Sequence, residues 1–235
     1  WCLAEMSYVP MGDSGAKASS PWIVSRLQAI QLPRFDFGRY CTGRASFSTD
    51  QWIDLLVASV GLDPDKLSRR SKLFQLTRLI PYVERNYNLV ELGPKGTGKS
   101  HIYSEFSPHG ILVSGGEVTL AKLFVNNATR RIGLVGYWDV VAFDEFAGHK
   151  RVERSLVDTL KNYLANKSFS RGDSTITAEA SMVFVGNTTR TVPAMLATAD
   201  LFEALPEAYH DTAYMDRIHY YLPGWEVDIV RPELF

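Results

Sequence analysis

The sequence is poor in several things. It has two cysteines in 235 residues, Cys2 and Cys41, too few for a disulfide framework or a four-ligand zinc site. Its five histidines show no His-Glu-x-x-His spacing. No apolar run approaches the ~18 residues that a membrane helix needs. No basic segment leads into an apolar stretch as a secretory signal does. Contact with a membrane is not expected, and a reducing, cytoplasmic compartment is. Net charge is also lacking: the formal value is −1, so the molecule as a whole is not a polyanion-binding surface. There is no internal repeat and no low-complexity tract. Trp1 in place of an initiator Met leads us to expect a fragment or a processed chain.

What is present is ordinary in bulk and uneven in detail. Hydrophobic residues are 46% and charged residues 22%, which argues against wholesale disorder. The length suits one large domain, with or without a flanking piece. Residues 192–235 hold two basic residues, Arg217 and Arg231, against eight acidic ones, while residues 1–191 hold 23 basic and 18 acidic. Any nucleic-acid contact must therefore come from local patches in the first part. Residues 1–44 read as irregular, with turn formers at Gly12-Asp13-Ser14-Gly15 and Ser19-Ser20-Pro21. A helix is expected from about Ser48 to Val60, ended by Gly61, and a second over about 66–87 with a kink at Pro81. From there, short apolar runs alternate with helical stretches: Leu89–Leu92, Ile111–Ser114, Val140–Phe143 and Met182–Val185. Strands separated by helices predict an α/β fold with a parallel sheet between helical layers.

The segment Gly93-Pro94-Lys95-Gly96-Thr97-Gly98-Lys99-Ser100 fits the spacing G-x-x-x-x-G-K-[ST] in full. It follows an expected strand and precedes an expected helix, which is the context that gives the motif its chemistry. The glycines let the backbone curl, so that successive N–H groups converge on phosphate oxygens. Residues Gly93 to Ser100, with His101 in the first helical turn, form the expected nucleotide-binding set. Lys99 can reach the β- and γ-phosphates of ATP, and the Ser100 hydroxyl can complete a Mg²⁺ shell. Val140-Val141-Ala142-Phe143 ends in Asp144-Glu145. Asp144 is the expected Mg²⁺ ligand, and Glu145 the group that polarises the attacking water. Met182-Val183-Phe184-Val185-Gly186 ends in Asn187, the expected γ-phosphate sensor. Arg217 reads either as an arginine finger reaching a neighbouring subunit's γ-phosphate or as a surface salt bridge worth ~0–1 kcal/mol.

These motifs together resemble the AAA+ ATPases, and more narrowly the BrxL-type, Lon-related ATPases of BREX phage-defence systems. The likeness runs from Ile80-Pro81-Tyr82-Val83-Glu84-Arg85-Asn86-Tyr87-Asn88 through Glu91–Tyr103, Ile111–Gly116 and Gly133–Glu145. It continues through Ser168–Gly172 and Ala180–Asn187 to Pro223-Gly224-Trp225-Glu226. The resemblance implies an AAA+ P-loop NTPase with a three-layer α/β/α core. It implies a hexameric ring that can pair into a double hexamer, binding to double-stranded DNA, and antiviral defence with other BREX components. It implies ATP sites between subunits. It also implies that residues 1–44 are the end of an N-terminal domain and its linker. Residues 45–235 would be the large ATPase subdomain, with a helical lead-in over 48–87 and the nucleotide-binding core over 88–235. No lid and no Lon-like Ser/Lys centre is read within these residues, so peptidase activity is not assigned.

Asn166–Asp173 reads as a hairpin with Ser174–Thr177 as its returning strand. Lys167 and Arg171 on it are candidate DNA-phosphate contacts, against the plainer reading of a solvated hairpin. Arg130-Arg131 and Lys150-Arg151 read as charged surface. Three decoys are set aside: the protease-like loop Gly12–Gly15, the adhesion-like Arg171-Gly172-Asp173 and the sequon Asn127-Ala128-Thr129. Two rivals remain open: a Lon-type motor that threads protein, for which Tyr137-Trp138 speaks, and a non-hydrolysing module in which ATP only holds a ring together.

Overall fold

The computed structural model describes residues 2–8, 21–29, 35–114, 119–126, 128–129, 131–144, 154–171, 174–198 and 200–235. The chain divides into two compact units, Trp1–Ser46 and Phe47–Phe235. In the first, strands β1 (Cys2–Tyr8) and β2 (Trp22–Ala29) form an antiparallel hairpin with a register shift between Glu5 and Met6, followed by helix α1 (Phe37–Ala45). This stretch is thus not irregular as expected. Its turn formers lie between two strands, and cross-strand pairs such as Tyr8–Trp22 and Met6–Val24 supply the pairing that a reading weighted by turn residues overlooks. Residues Gly12–Gly15 lie outside the described residues.

The second unit opens with α2 (Thr49–Ser59). The Ser48 hydroxyl accepts the Gln51 N–H while the Gln51 side chain accepts the Ser48 N–H, a capping box that fixes the helix start. Next come α3 (Arg69–Thr77), capped by Ser68, and the short α4 (Ile80–Val83). The single helix expected over 66–87 is therefore broken. Pro81 sits in the first turn of α4, where its missing N–H costs nothing. Beyond Val83 the chain leaves helical geometry, and Asn86 takes a positive φ of 52°. That turn is held by the Asn86 amide, which donates to the carbonyl of Ala178 and to the Tyr163 hydroxyl.

The core elements follow in order: β3 (Leu89–Gly93), α5 (Lys99–Ser104), β4 (Gly110–Val113), α6 (Leu120–Leu123), the small pair β5 (Val125–Asn126) and β6 (Arg131–Ile132), and β7 (Val140–Phe143). Then come α7 (Arg154–Asn166), the hairpin β8 (Ser168–Arg171) and β9 (Ser174–Thr177), β10 (Ser181–Asn187), α8 (Val192–Thr198), α9 (Thr212–Met215) and β11 (Tyr220–Pro223). Five of these strands form one parallel sheet in the order β11-β3-β10-β7-β4. Four were legible as apolar runs. The fifth, β11, is a four-residue edge strand that ends in Pro223, and an edge is where a sheet tolerates proline.

Alternation along the strands gives the sheet two buried faces. One carries Val90, Leu92, Val141, Phe143, Met182 and Phe184 against Leu156, Leu160 and Tyr163 of α7. The other carries Leu89, Val140, Ala142, Val183, Val185 and Leu222 against Phe74 of α3 and Ile102 and Tyr103 of α5. Burying each such side chain contributes about 1.5–3 kcal/mol, so both faces anchor the strands whose ends carry the site. Glu91 falls on the α3–α5 face, between Leu89 and Gly93, and is fully buried.

Candidate nucleotide site

All five parallel strands end on the same edge, which is where an open α/β sheet places ligands. Strand β10 lies between β3 and β7 and runs past β7, so that Asn187 pairs in register with Gly93. The Thr188 N–H donates to the Gly93 carbonyl at 3.1 Å. Asp144 follows β7 directly, and its N–H bonds the Val113 carbonyl of β4 at 2.9 Å. From the other side of the edge, the Ser100 hydroxyl donates to Asp144 Oδ2 at 2.6 Å. Three strands and one helix thus bring Gly93, Ser100, Asp144 and Asn187 together.

The loop after β3 turns through Gly96 and Gly98, whose φ values of 85° and 77° lie in the left-handed region that L side chains avoid. Lys99 follows and is almost wholly buried. Its ammonium donates to the carbonyls of Pro94 at 2.6 Å and Gly93 at 3.2 Å and to the Thr97 hydroxyl at 3.5 Å. Burial pushes the Lys99 pKa down; the charges of Glu91 and Asp144 oppose that shift and Arg78 adds to it. The cation is therefore held inside the loop by the loop's own oxygens, in the place where an anionic oxygen would gain most from it.

Two supports of this loop were not foreseen. Behind it, the Arg78 guanidinium is buried among four acceptors. It donates to both oxygens of Glu91, to Gln75 Oε1 at 3.0 Å and to the Thr97 carbonyl at 2.8 Å. In front, the segment after β11 crosses the loop. The Val230 N–H donates to the Gly96 carbonyl at 2.8 Å, and the Val230 side chain would come within 3.3 Å of a Cβ at Gly98. That segment is fastened on both sides: Glu226 takes a bidentate bond from Arg70, and the Leu234 carbonyl accepts the Asp63 N–H at 2.7 Å.

The remaining sequence-derived residues scatter. Glu145 lies outside the described residues, as do Arg130, Lys150-Arg151 and Asn127. Lys167 is exposed, at a φ of 55°, and its carbonyl accepts the Ala178 N–H. It therefore stands at the base of the β8–β9 hairpin, not near the tip. Arg171 closes β8; Gly172 and Asp173 lie outside the described residues. Arg217 precedes β11, whose first residue pairs with Leu89, the first residue of β3. It thus lies at the opposite edge of the sheet from the loop, about 13 Å away along β3 alone at ~3.3 Å per residue. Its Nη1 donates to the Ala213 carbonyl, and its Nε is buried with no partner among the described residues.

The family described as "Lon-like protease BrxL-like, ATPase domain" matches residues 22–235. The chain belongs to that family. Its members include the Lon-like protease BrxL of Bacillus cereus (strain H3081.97), 49% identical over 236 residues, and that of Escherichia coli O9:H4 (strain HS), 48% identical over 235. Both alignments cover all of this chain but only 35% and 33% of those proteins, so the chain spans about a third of the BrxL relatives' length. With the sheet between two helical layers, family membership makes this an AAA+ three-layer core and an ATP-binding domain of the ATPase class. Among solved structures, NtrX from Brucella abortus in complex with ADP aligns at 17% identity and a TM-score of 0.39, over 81% of this chain and 46% of that one. No helix among the described residues is long and apolar enough to cross a membrane.

Proposed function

We propose that this domain hydrolyses ATP with Mg²⁺ at an interface between two copies of the chain, and that the energy acts on DNA. The observation that carries the reading is the 2.6 Å contact between Ser100 and Asp144 beside the buried Lys99. A hydroxyl and a carboxylate at that spacing are hard oxygen donors of the kind Mg²⁺ selects, with phosphate and water oxygens left to complete the shell. Ser100 and Asp144 would hold the ion, which would neutralise charge on the phosphates. The backbone of residues 94–100 and Lys99 hold the phosphates, Glu145 orients the attacking water, and Asn187 contacts the γ-phosphate. Arg217 lies too far from its own loop to take part, which supports its action on the next protomer in a hexameric ring, single or paired. Exposed Lys167, with Arg171, meets double-stranded DNA through its phosphates. The setting is the bacterial cytoplasm, in defence against phage alongside other BREX proteins.

Phosphate release by the full-length protein, measured with and without duplex DNA, tests this. We expect Mg²⁺-dependent turnover that DNA alters and that salt progressively uncouples from DNA. The Glu145→Gln variant binds ATP and stays assembled without turnover. Absence of turnover in the unmodified protein would leave only the assembly role. Tyr137 is 72% exposed, which favours a second reading, threading of protein by a Lon-type motor. Stimulation by an unfolded protein and not by DNA would select it.

A further inference from the structure

The loop's own sequence does not explain which way its peptide groups point. In a planar trans peptide the carbonyl and the next residue's N–H point in opposite directions, and no cis bond occurs among the described residues. Holding the Thr97 carbonyl inward therefore turns the Gly98 N–H outward, to the side where phosphate must lie. Arg78 holds that carbonyl, at 2.8 Å. The same guanidinium grips Glu91 with two bonds and Gln75 with a third, so its plane is fixed before it reaches the loop. Arg78 is 1% exposed and Glu91 0%, so solvent does not compete for either. Burying such a pair is a weak way to gain stability, since apolar residues of like size serve as well. What the pair supplies, and an apolar pair would not, is a donor at a set position behind Thr97.

We propose that Arg78, oriented by Glu91 and Gln75, is a positioning residue for nucleotide binding: it sets the Thr97–Gly98 peptide so that the Gly98 amide faces the phosphates. The proposal rests on the phosphate-cradle reading above and deepens it. Arg78 does not touch the nucleotide; it acts through the loop. Val230 fixes the preceding peptide from the other side, since its bond to the Gly96 carbonyl turns the Thr97 N–H away from the strap. The two supports take successive carbonyls of one loop.

The test uses the full-length protein and compares dissociation constants for ADP and adenosine, with thermal melting as the control for folding. The double variant Arg78→Met/Glu91→Met keeps the volume and removes both charges. We expect it to melt near the wild type and to bind ADP about tenfold more weakly, the scale of one lost charge-assisted hydrogen bond. Adenosine, which has no phosphate, keeps its affinity within about twofold. The Arg78→Lys variant, which retains the charge and loses the fork, shows the same selective loss and stands in if the double variant does not fold. Phe184→Ala, a cavity on the other face of the sheet, lowers the melting temperature without changing the ADP-to-adenosine ratio. A folded variant at Arg78 with wild-type ADP affinity overturns the proposal, as does an equal loss for adenosine. A wild-type protein that fails to bind ADP removes the cradle reading itself and the proposal with it.

Discussion

The two edges of the central sheet are built on different plans. At the carboxyl edge the ends of β3, β7 and β10 meet the start of α5, and Ser100 already touches Asp144. At the amino edge the backbone is fixed and the charge is spare. Asn88 takes the Met182 N–H of β10, donates to the Arg217 carbonyl and gives its own N–H to His219 Nδ1, so these bonds tie the loop before β11 at two points and anchor Asn88 to the sheet by a third. The Arg217 guanidinium itself bonds only the carbonyl one turn back among the contacts described. The carboxyl edge gathers Ser100 and Asp144 beside the loop, and the amino edge fastens the backbone on which Arg217 sits.

Breaking the amino edge should have the largest effect. Arg217→Ala should lower steady-state turnover by roughly 10³–10⁵-fold while ADP affinity, measured by titration, stays at wild type. Mixing that variant with Lys99→Ala subunits should restore part of the phosphate release, because each supplies the edge the other lacks; a mixture as inactive as its components removes the two-edge account. At the carboxyl edge, Lys99→Ala should weaken ATP binding by about 100-fold with an unchanged circular-dichroism spectrum, since a charged donor to phosphate is worth about 1.5–3 kcal/mol. Packing sharpens the contrast. Phe184→Ala, between both edges and stacked on Phe143 at 5.3 Å, should cost about 3–5 kcal/mol in denaturant unfolding and leave the affinity of the folded fraction intact. Asn88→Ala should cost about 1–3 kcal/mol, read the same way, and reduce turnover without touching ADP affinity. The smallest effect belongs to Ser48→Ala, the cap of α2, at about 1 kcal/mol of stability.

Much of this was legible because it is local. The spacing from Gly93 to Ser100, the apolar runs of four strands, and the carboxylate and amide that end two of them all lie within short windows, and the parallel sheet brings their ends together. What escaped is non-local. Arg78 and Glu91 are 13 residues apart, on a helix and a strand that only the packed α3–α5 face unites. One signal was available: a glutamate inside Leu89–Leu92, a strand buried on both sides, must find a cation. The Val230–Gly96 bond joins backbone atoms and leaves no trace in residue type. The helical stretch expected to reach residue 87 stops short of Asn86, whose left-handed turn is stabilised by partners near residues 163 and 178.

A Cβ added to Gly93 would lie 2.4 Å from the Gly224 carbonyl carbon, and one added to Gly224 would lie 2.8 Å from the Leu92 carbonyl oxygen. The root of the phosphate loop and the turn after β11 are therefore in main-chain contact, with no side chain between them to absorb displacement. The strand that follows Arg217 and the loop that ends in Lys99 are thus joined backbone to backbone, at two positions where any residue larger than glycine would force them apart.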